Sequence, residues 1–234
     1  MTDTSETDRI RRVYDSYKER DLRHRIWSEL NPGNQSIEYE RGQTLKRILQ
    51  DAGISHYDDL KILDVGCGSG KVLAQFMKWG ASPENLYGID LLSDRIAEAK
   101  QNYKDIFFQT TNAEKIKFDD CFFDLVLLYT IFSSIFDRKM IMNISEEIRR
   151  VLKLGGMVVW YDFRYNNPWN SNVHRMGLKD IHMLFPEFKF KLRKVTVLPF
   201  LVRRMGRYTQ FFYPILARIA LLKTHYLGVL VKPI

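Results

Sequence analysis

Between residues 60 and 163 the chain alternates short apolar runs with polar or turn-forming stretches. Ile62–Val65 is apolar apart from Asp64, and a short run of this kind reads as a buried strand. Further strands are predicted at about Asn85–Asp90, Ile106–Phe108, Phe122–Leu128 and Met157–Trp160. After the first run the spacing turns helical, with Val72, Leu73, Phe76 and Met77 on one face. Upstream, Thr7-Asp8 can cap a first helix that carries Ile10, Val13, Tyr14 and Tyr17. Asn31-Pro32-Gly33-Asn34 reads as a turn. A second helix is predicted over about Tyr39–Ala52, closed by Gly53. Downstream, strands are predicted at about Phe190–Val197 and Tyr226–Val231.

The first strand runs into Asp64-Val65-Gly66-Cys67-Gly68-Ser69-Gly70, with glycine at alternate positions. Such a turn lets a ligand lie against bare backbone, and the helix start behind it offers free N–H groups. A dinucleotide fingerprint would need Gly or Ala where Lys71 stands, and a P-loop would need a terminal G-K-[ST], so neither pattern is met. Asp90, twenty residues beyond Gly70, ends the second strand. A carboxylate there can accept from both hydroxyls of a ribose.

An acid followed by G-x-G-x-G resembles motif I of the class I S-adenosylmethionine-dependent methyltransferases. Four later stretches resemble that family in the same order: the strand ending in Asp90; Thr111-Asn112-Ala113-Glu114; Phe123-Asp124-Leu125-Val126; and Leu152-Lys153-Leu154-Gly155-Gly156. Asn112 stands where the family usually has Asp, and Leu154 where it usually has Pro. The resemblance covers about residues 60–163. It implies an α/β fold, a doubly wound and mostly parallel seven-stranded sheet with helices on both faces. It also implies S-adenosyl-L-methionine as cofactor, held by Asp64, Gly66, Cys67, Gly68, Gly70, Asp90, Leu91, Asn112, Ala113 and Tyr129. The amide oxygen of Asn112 would accept from the adenine amino group. A single domain is expected: a helical cap over 1–58, the cofactor core over 59–163, and a substrate-side part over 164–234.

Composition changes the picture in one region. The formal charge is +8, yet from Phe188 to the end there are ten Lys or Arg and no acid, so the remainder is slightly acidic. Leu198–Tyr226 interleaves Arg203, Arg204, Arg207, Arg218 and Lys223 with large apolar residues, among them Phe200, Phe211, Phe212, Ile215, Ile219 and Leu221. Pro214 interrupts the run, which is too short to span a bilayer. It reads as a peripheral membrane contact or as a helix packed on the sheet. RNA methylation through this basic part is an alternative function, although the region after strand four, Leu128-Tyr129-Thr130-Ile131, lacks the residues of base-modifying relatives. A non-catalytic adapter is another alternative, which the intact glycine loop and Asp90 disfavour. With Cys67 inside the loop, a disulfide to Cys121 is not expected, and a cytoplasmic setting fits.

The five histidines and two cysteines form no metal-ligand spacing. An acceptor hydroxyl then calls for a side-chain base. Asp162, at the end of strand five, and His174, in the following loop, are the candidates. Asp162 can alternatively pair with Arg164. Tyr161–Asn170, rich in aromatics and amides, suits a small-molecule or glycan acceptor. This stretch and Thr224–Gly228 weakly resemble methyltransferases that accompany bacterial polysaccharide genes. Arg20–Trp27, with its arginines around Ile26 and Trp27, reads as a lid over the cofactor or as a solvated helix face.

Overall fold

The computed structural model describes the backbone of residues 4–24 and 28–234, and the side chains of 6–19 and 28–234. The side chains of the predicted lid, Arg20–Trp27, lie outside the described residues. Helix α1 spans Thr4–His24 and α2 spans Pro32–Asp51. A seven-stranded sheet follows, in the order β3-β2-β1-β4-β5-β7-β6. Its strands are β1 (Ile62–Val65), β2 (Leu86–Asp90), β3 (Phe107–Thr110), β4 (Phe123–Tyr129), β5 (Leu152–Phe163), β6 (Lys189–Val197) and β7 (Lys223–Val231). Only β7 runs antiparallel to its neighbours. The connecting helices are α3 (Lys71–Lys78), α4 (Ser93–Asn102), α5 (Arg138–Val151) and α6 (Leu178–Leu184). This is the doubly wound α/β sheet expected.

The chain winds outward from β1 to β3, then returns to place β4 on the other side of β1. Ligands of open α/β sheets bind at that reversal, outside the carboxyl ends of the strands. Both faces of the sheet are covered. Leu125 and Leu127 of β4 pack with Leu45, Leu49, Leu73 and Phe76 of α2 and α3. Phe123, Val126 and Leu128 pack with Ile144 and Ile148 of α5. The alternation along one strand thus feeds two cores, which is why the sequence shows apolar runs instead of an apolar–polar alternation.

Three expectations about elements are corrected. The Asn31–Asn34 turn is the start of α2. Asn31 accepts from the Gly33 N–H at 2.8 Å, and Pro32 takes the first helical position, where its missing N–H costs nothing. Gly33 is tight against α7 (Pro199–Val202): an added Cβ would lie 2.5 Å from the Val202 carbonyl oxygen. Next, the Leu154–Gly156 stretch precedes the strand predicted at Met157–Trp160, yet it is itself extended. It lies inside β5, with Gly155 at φ +72° and a register shift against β4 between Phe123 and Leu125. Finally, 198–222 is not one amphipathic helix. It forms α7, α8 (Thr209–Leu216) and single turns at 206–208 and 220–222. Tyr213 anchors it through a 2.7 Å hydrogen bond to Glu40 of α2, which Lys223 also meets at 3.2 Å.

Candidate functional site

At the carboxyl ends of β1, β2, β4 and β5 lies a cavity of about 670 Å³. Its floor is the glycine loop. Gly66, Gly68 and Gly70 have φ of +69°, +54° and +83°. Gly66 illustrates the need: its backbone is left-handed, and a Cβ would collide with the Ile131 side chain. The N–H groups of Gly66 and Cys67 both donate to the Ile89 carbonyl, at 2.7 and 3.0 Å, which folds the loop back onto β2. Asp90 closes the arrangement. One carboxylate oxygen accepts from the Gly68 N–H and the other from the Leu92 N–H, both at 2.9 Å. Each oxygen retains a lone pair for a ligand hydroxyl.

Two ionisable residues at this end of the sheet carry buried side-chain atoms without hydrogen-bond partners. Neither oxygen of Asp64 has a hydrogen-bond partner, although the residue is 1% exposed. Burial, reinforced by the Asp90 charge and opposed by Arg41, holds the Asp64 carboxyl well above the usual carboxylate range. Arg41 of α2 lines the cavity, its guanidinium over the rings of Tyr129 and Tyr161 at 5.2 Å each, and its Nε is buried without a partner. Buried polar groups are normally satisfied, so an unpaired carboxyl, which a cation would ionise, and an unpaired guanidinium nitrogen suit a ligand that carries both a cation and an anion.

The far wall is built from β5, β6 and β7. Tyr161, Phe163, Thr196 and His225 line it. His225 stacks on Tyr161 with ring centroids 4.7 Å apart and planes within 5°. Burial, then the charges of Arg41 and Arg203, depress its pKa to about 3, so the ring is neutral. Helix α1 forms the roof through Ile10, Tyr14 and Tyr17. It is latched by Glu6, which accepts from the Phe136 N–H at 2.7 Å, and by Arg9, which donates to the Ser134 carbonyl at 2.5 Å. Tyr17 and Asn170 bond across the mouth.

Of the residues expected to hold a cofactor, Gly66, Asp90, Leu91, Asn112, Ala113 and Tyr129 line the cavity. Cys67, Gly68 and Gly70 sit behind the lining, where they shape the loop, and Asp64 of β1 lies outside the lining with its carboxyl unsatisfied. The Asn112 amide oxygen already accepts from the Glu114 N–H at 3.0 Å, which leaves it one lone pair for a ligand.

Neither proposed base lines the cavity. Successive side chains on a strand face opposite ways. With Tyr161 and Phe163 on the cavity side, Asp162 turns to the other. There it accepts from the Ser133 N–H at 3.1 Å and the Phe163 N–H at 2.8 Å. It does not pair with Arg164, which donates to the carbonyls of Ala220 and Lys223. His174 packs beside Phe136, with ring centroids 5.2 Å apart. Sequence reasoning passed over Arg41, Thr196 and His225 as lining residues. The one signal available was local: His225 lies within the Thr224–Gly228 stretch.

Burial of Asp162 has a pH consequence. Its pKa is raised from 3.8 to about 6, so folding favours the protonated form. The stabilisation from that proton is full below about 3.8 and is lost as pH rises through about 6. Asp162→Asn should therefore flatten the fall in melting temperature between pH 5 and pH 7. A variant with the wild-type slope would show that Asp162 titrates normally.

Comparison with known proteins bears on the fold that carries this site. A family model described as "Methyltransferase domain" matches residues 62–156. A ubiquinone biosynthesis O-methyltransferase from Bartonella tribocorum is 26% identical over 174 residues, covering 72% of this chain and 66% of its own length. A chloroplastic 2-phytyl-1,4-beta-naphthoquinone methyltransferase from Arabidopsis thaliana is 31% identical over 114 residues, covering 45% of this chain and 42% of its own length. The chain thus spans two thirds or less of these curated relatives. Among solved structures, a SAM-dependent methyltransferase from Methanosarcina mazei superposes with a TM-score of 0.57 at 21% identity, covering 77% of this chain and 95% of that one. Residues 62–156 thus match the methyltransferase domain model, and the chain shares its fold with solved SAM-dependent methyltransferases.

Proposed function

We propose that the protein transfers a methyl group from S-adenosylmethionine to a hydroxyl of a small, lipid-linked acceptor. The observation that carries the donor half is the pair of unsatisfied polar groups, the buried Asp64 carboxyl and the Nε of Arg41, beside a glycine loop that Asp90 pins. The donor's amino-acid end offers an ammonium for Asp64 and a carboxylate for Arg41. Its ribose hydroxyls match the free lone pairs of Asp90, and its adenine amino group matches the remaining lone pair of Asn112. Bound there, the donor supplies a methyl already activated by a sulfonium. The chain's own task is to align the acceptor, exclude water and take up a proton.

Three observations favour a lipid-linked acceptor over a free glycan. Trp169, one of the flat faces that suited a sugar, stacks instead on Phe200 at 4.6 Å and lies outside the cavity lining. The segment beside the mouth exposes Phe211 (75%), Ile215 (59%) and Leu221 (76%), together with Phe212 and Ile219. The relatives named above are called methyltransferases of ubiquinone biosynthesis and of a phytyl-naphthoquinone. We assign the exposed apolar patch, with exposed Arg204, Arg207 and Arg218, to contact with an anionic membrane surface. Among the described residues no helix is long and apolar enough to cross a membrane. Arg203 leaves that set. It lines the cavity and donates to Asn34 at 2.7 Å.

The test is transfer of label from methyl-labelled S-adenosylmethionine, by the purified chain, to a panel of prenylated catechols, lipid-linked sugars, free sugars and RNA. Label in the prenylated or lipid-linked arms supports the reading. Label in RNA alone would replace it with the nucleic-acid alternative.

A further inference from the structure

Thr196 has φ +65°. A β-branched residue takes this left-handed backbone only where its surroundings impose it. The effect is visible in the pairing of β6 with β7. Val195 pairs with His225 and Val197 with Lys223, while Thr196 drops out of the ladder. Its N–H goes instead to the Glu40 carboxylate at 2.8 Å, and its carbonyl accepts the Thr224 hydroxyl at 3.0 Å. Thr224 has a single hydroxyl proton, and a carbonyl can only accept, so that proton is committed to Thr196. Thr224 Oγ1 also lies 2.8 Å from His225 Nδ1. With its proton spent, Oγ1 must be the acceptor in that contact and Nδ1–H the donor. The imidazole is thereby fixed with its proton on Nδ1. Nε2 keeps a bare lone pair and has no partner among the described residues, on a ring that lines the cavity.

Resting on the methyltransferase reading, we infer that Nε2 of His225 receives the proton of the acceptor's hydroxyl, so that the acceptor presents an O–H to the β7 wall. As the acceptor oxygen forms its bond to the methyl carbon, its O–H bond breaks and the proton passes to Nε2. The electron pair of the broken carbon–sulfur bond stays on sulfur, which becomes a neutral thioether.

The surroundings keep the ring ready for this role. Arg41 from α2 and Arg203 after α7 act with burial to hold it neutral, with its pKa near 3. The other groups lining that region are the phenols of Tyr129 and Tyr161 and the hydroxyl of Thr196. The Glu40 carboxylate is occupied by Tyr213, Lys223 and the Thr196 N–H. A weak base suffices. Once the new bond forms, the oxygen is an oxonium, whose proton is far more acidic than that of any imidazolium. No fraction of His225 is lost to protonation above about pH 5.

The experiment is nitrogen NMR of the full chain labelled with ¹⁵N-histidine, saturated with S-adenosylhomocysteine. The chain has five histidines, and His225→Gln identifies the two signals of His225 by their absence. We expect Nδ1 at a protonated position and Nε2 at a bare one from pH 5 to pH 8. Phenol should move Nε2 toward the protonated position, whereas anisole, which lacks the O–H, should not. Thr224→Val should release the fixed tautomer into a mixture. A proton found on Nε2, or an Nε2 signal indifferent to phenol, would overturn the assignment. Calorimetry with S-adenosylmethionine separates the two levels. Donor binding retained by His225→Gln shows that only the base assignment is at stake, whereas a wild type that binds no donor removes the methyltransferase reading and this inference with it.

Discussion

Asp90→Ala should lower donor affinity by at least about a hundredfold and reduce folding stability by about 3 kcal/mol. The stability loss follows from two hydrogen bonds. The carboxylate accepts from the Gly68 and Leu92 N–H groups at 2.9 Å, in a residue that is 7% exposed. Leaving buried donors unsatisfied costs roughly 1–3 kcal/mol each. The affinity loss adds the ribose contacts and the disorder of a loop that no longer has its pin, and a hundredfold corresponds to about 2.8 kcal/mol. Asp90→Asn should be milder in stability, because one amide oxygen can still accept, yet nearly as harmful to binding. Gly66→Val provides an independent route to the same loss, since its side chain would meet Ile131 from a backbone at φ +69°. Thermal unfolding and titration calorimetry read both quantities. An Asp90→Ala protein with wild-type affinity would mean that the ribose is held elsewhere.

The full chain should float with anionic vesicles at low salt, stay behind with neutral ones, and be released as salt rises. The Debye length shrinks from about 30 Å at 0.01 M salt to about 8 Å at 0.15 M, so the attraction of surface arginines fades over that range. Each cation near an anionic surface contributes about 1 kcal/mol. Replacing Arg204, Arg207 and Arg218 with Gln should therefore weaken partitioning about a hundredfold. All three are exposed. Phe211→Ser with Leu221→Ser should weaken it further at any salt, because those side chains are 75% and 76% exposed and have apolar surface to insert. Arg203→Gln should act differently, disturbing the cavity and the contact with Asn34 more than vesicle binding. A wild type that remains at the bottom of the gradient would end the membrane proposal and leave the donor site untouched.

The parts of the site that were legible in the sequence are those whose physics is local. A glycine loop between an apolar run and a helical period announces itself, because left-handed backbone and close approach admit few other residues. Asp90 was legible for the same reason, as a carboxylate at a strand end in register with that loop. Asp162 shows where local reasoning fails. Its position at the end of β5 was read correctly, but its face was not. Side chains on a strand alternate, so an offset of one residue sends every side chain to the opposite face. The phase of β5 depends on its pairing with β4, which shifts register between Phe123 and Leu125. His225 was hidden for a related reason. Only the antiparallel insertion of β7 between β5 and β6 brings it onto Tyr161, and that pairing has no sequence signature. The start of α2 was legible in principle. Asn31-Pro32 carries both a capping side chain and a preferred first helical residue, and a turn reading uses the same residue types.

The measurement that bears most directly on the central claim is titration calorimetry of the purified full chain with S-adenosylmethionine, S-adenosylhomocysteine and NAD in parallel. The unsatisfied Asp64 carboxyl and Arg41 Nε, the pinned loop and the free lone pairs of Asp90 predict stoichiometric binding of the first two, and loss of both in Asp90→Ala. They predict no heat of binding for NAD, because Lys71 stands where a dinucleotide loop needs a small residue. Binding of NAD without S-adenosylmethionine would contradict the account.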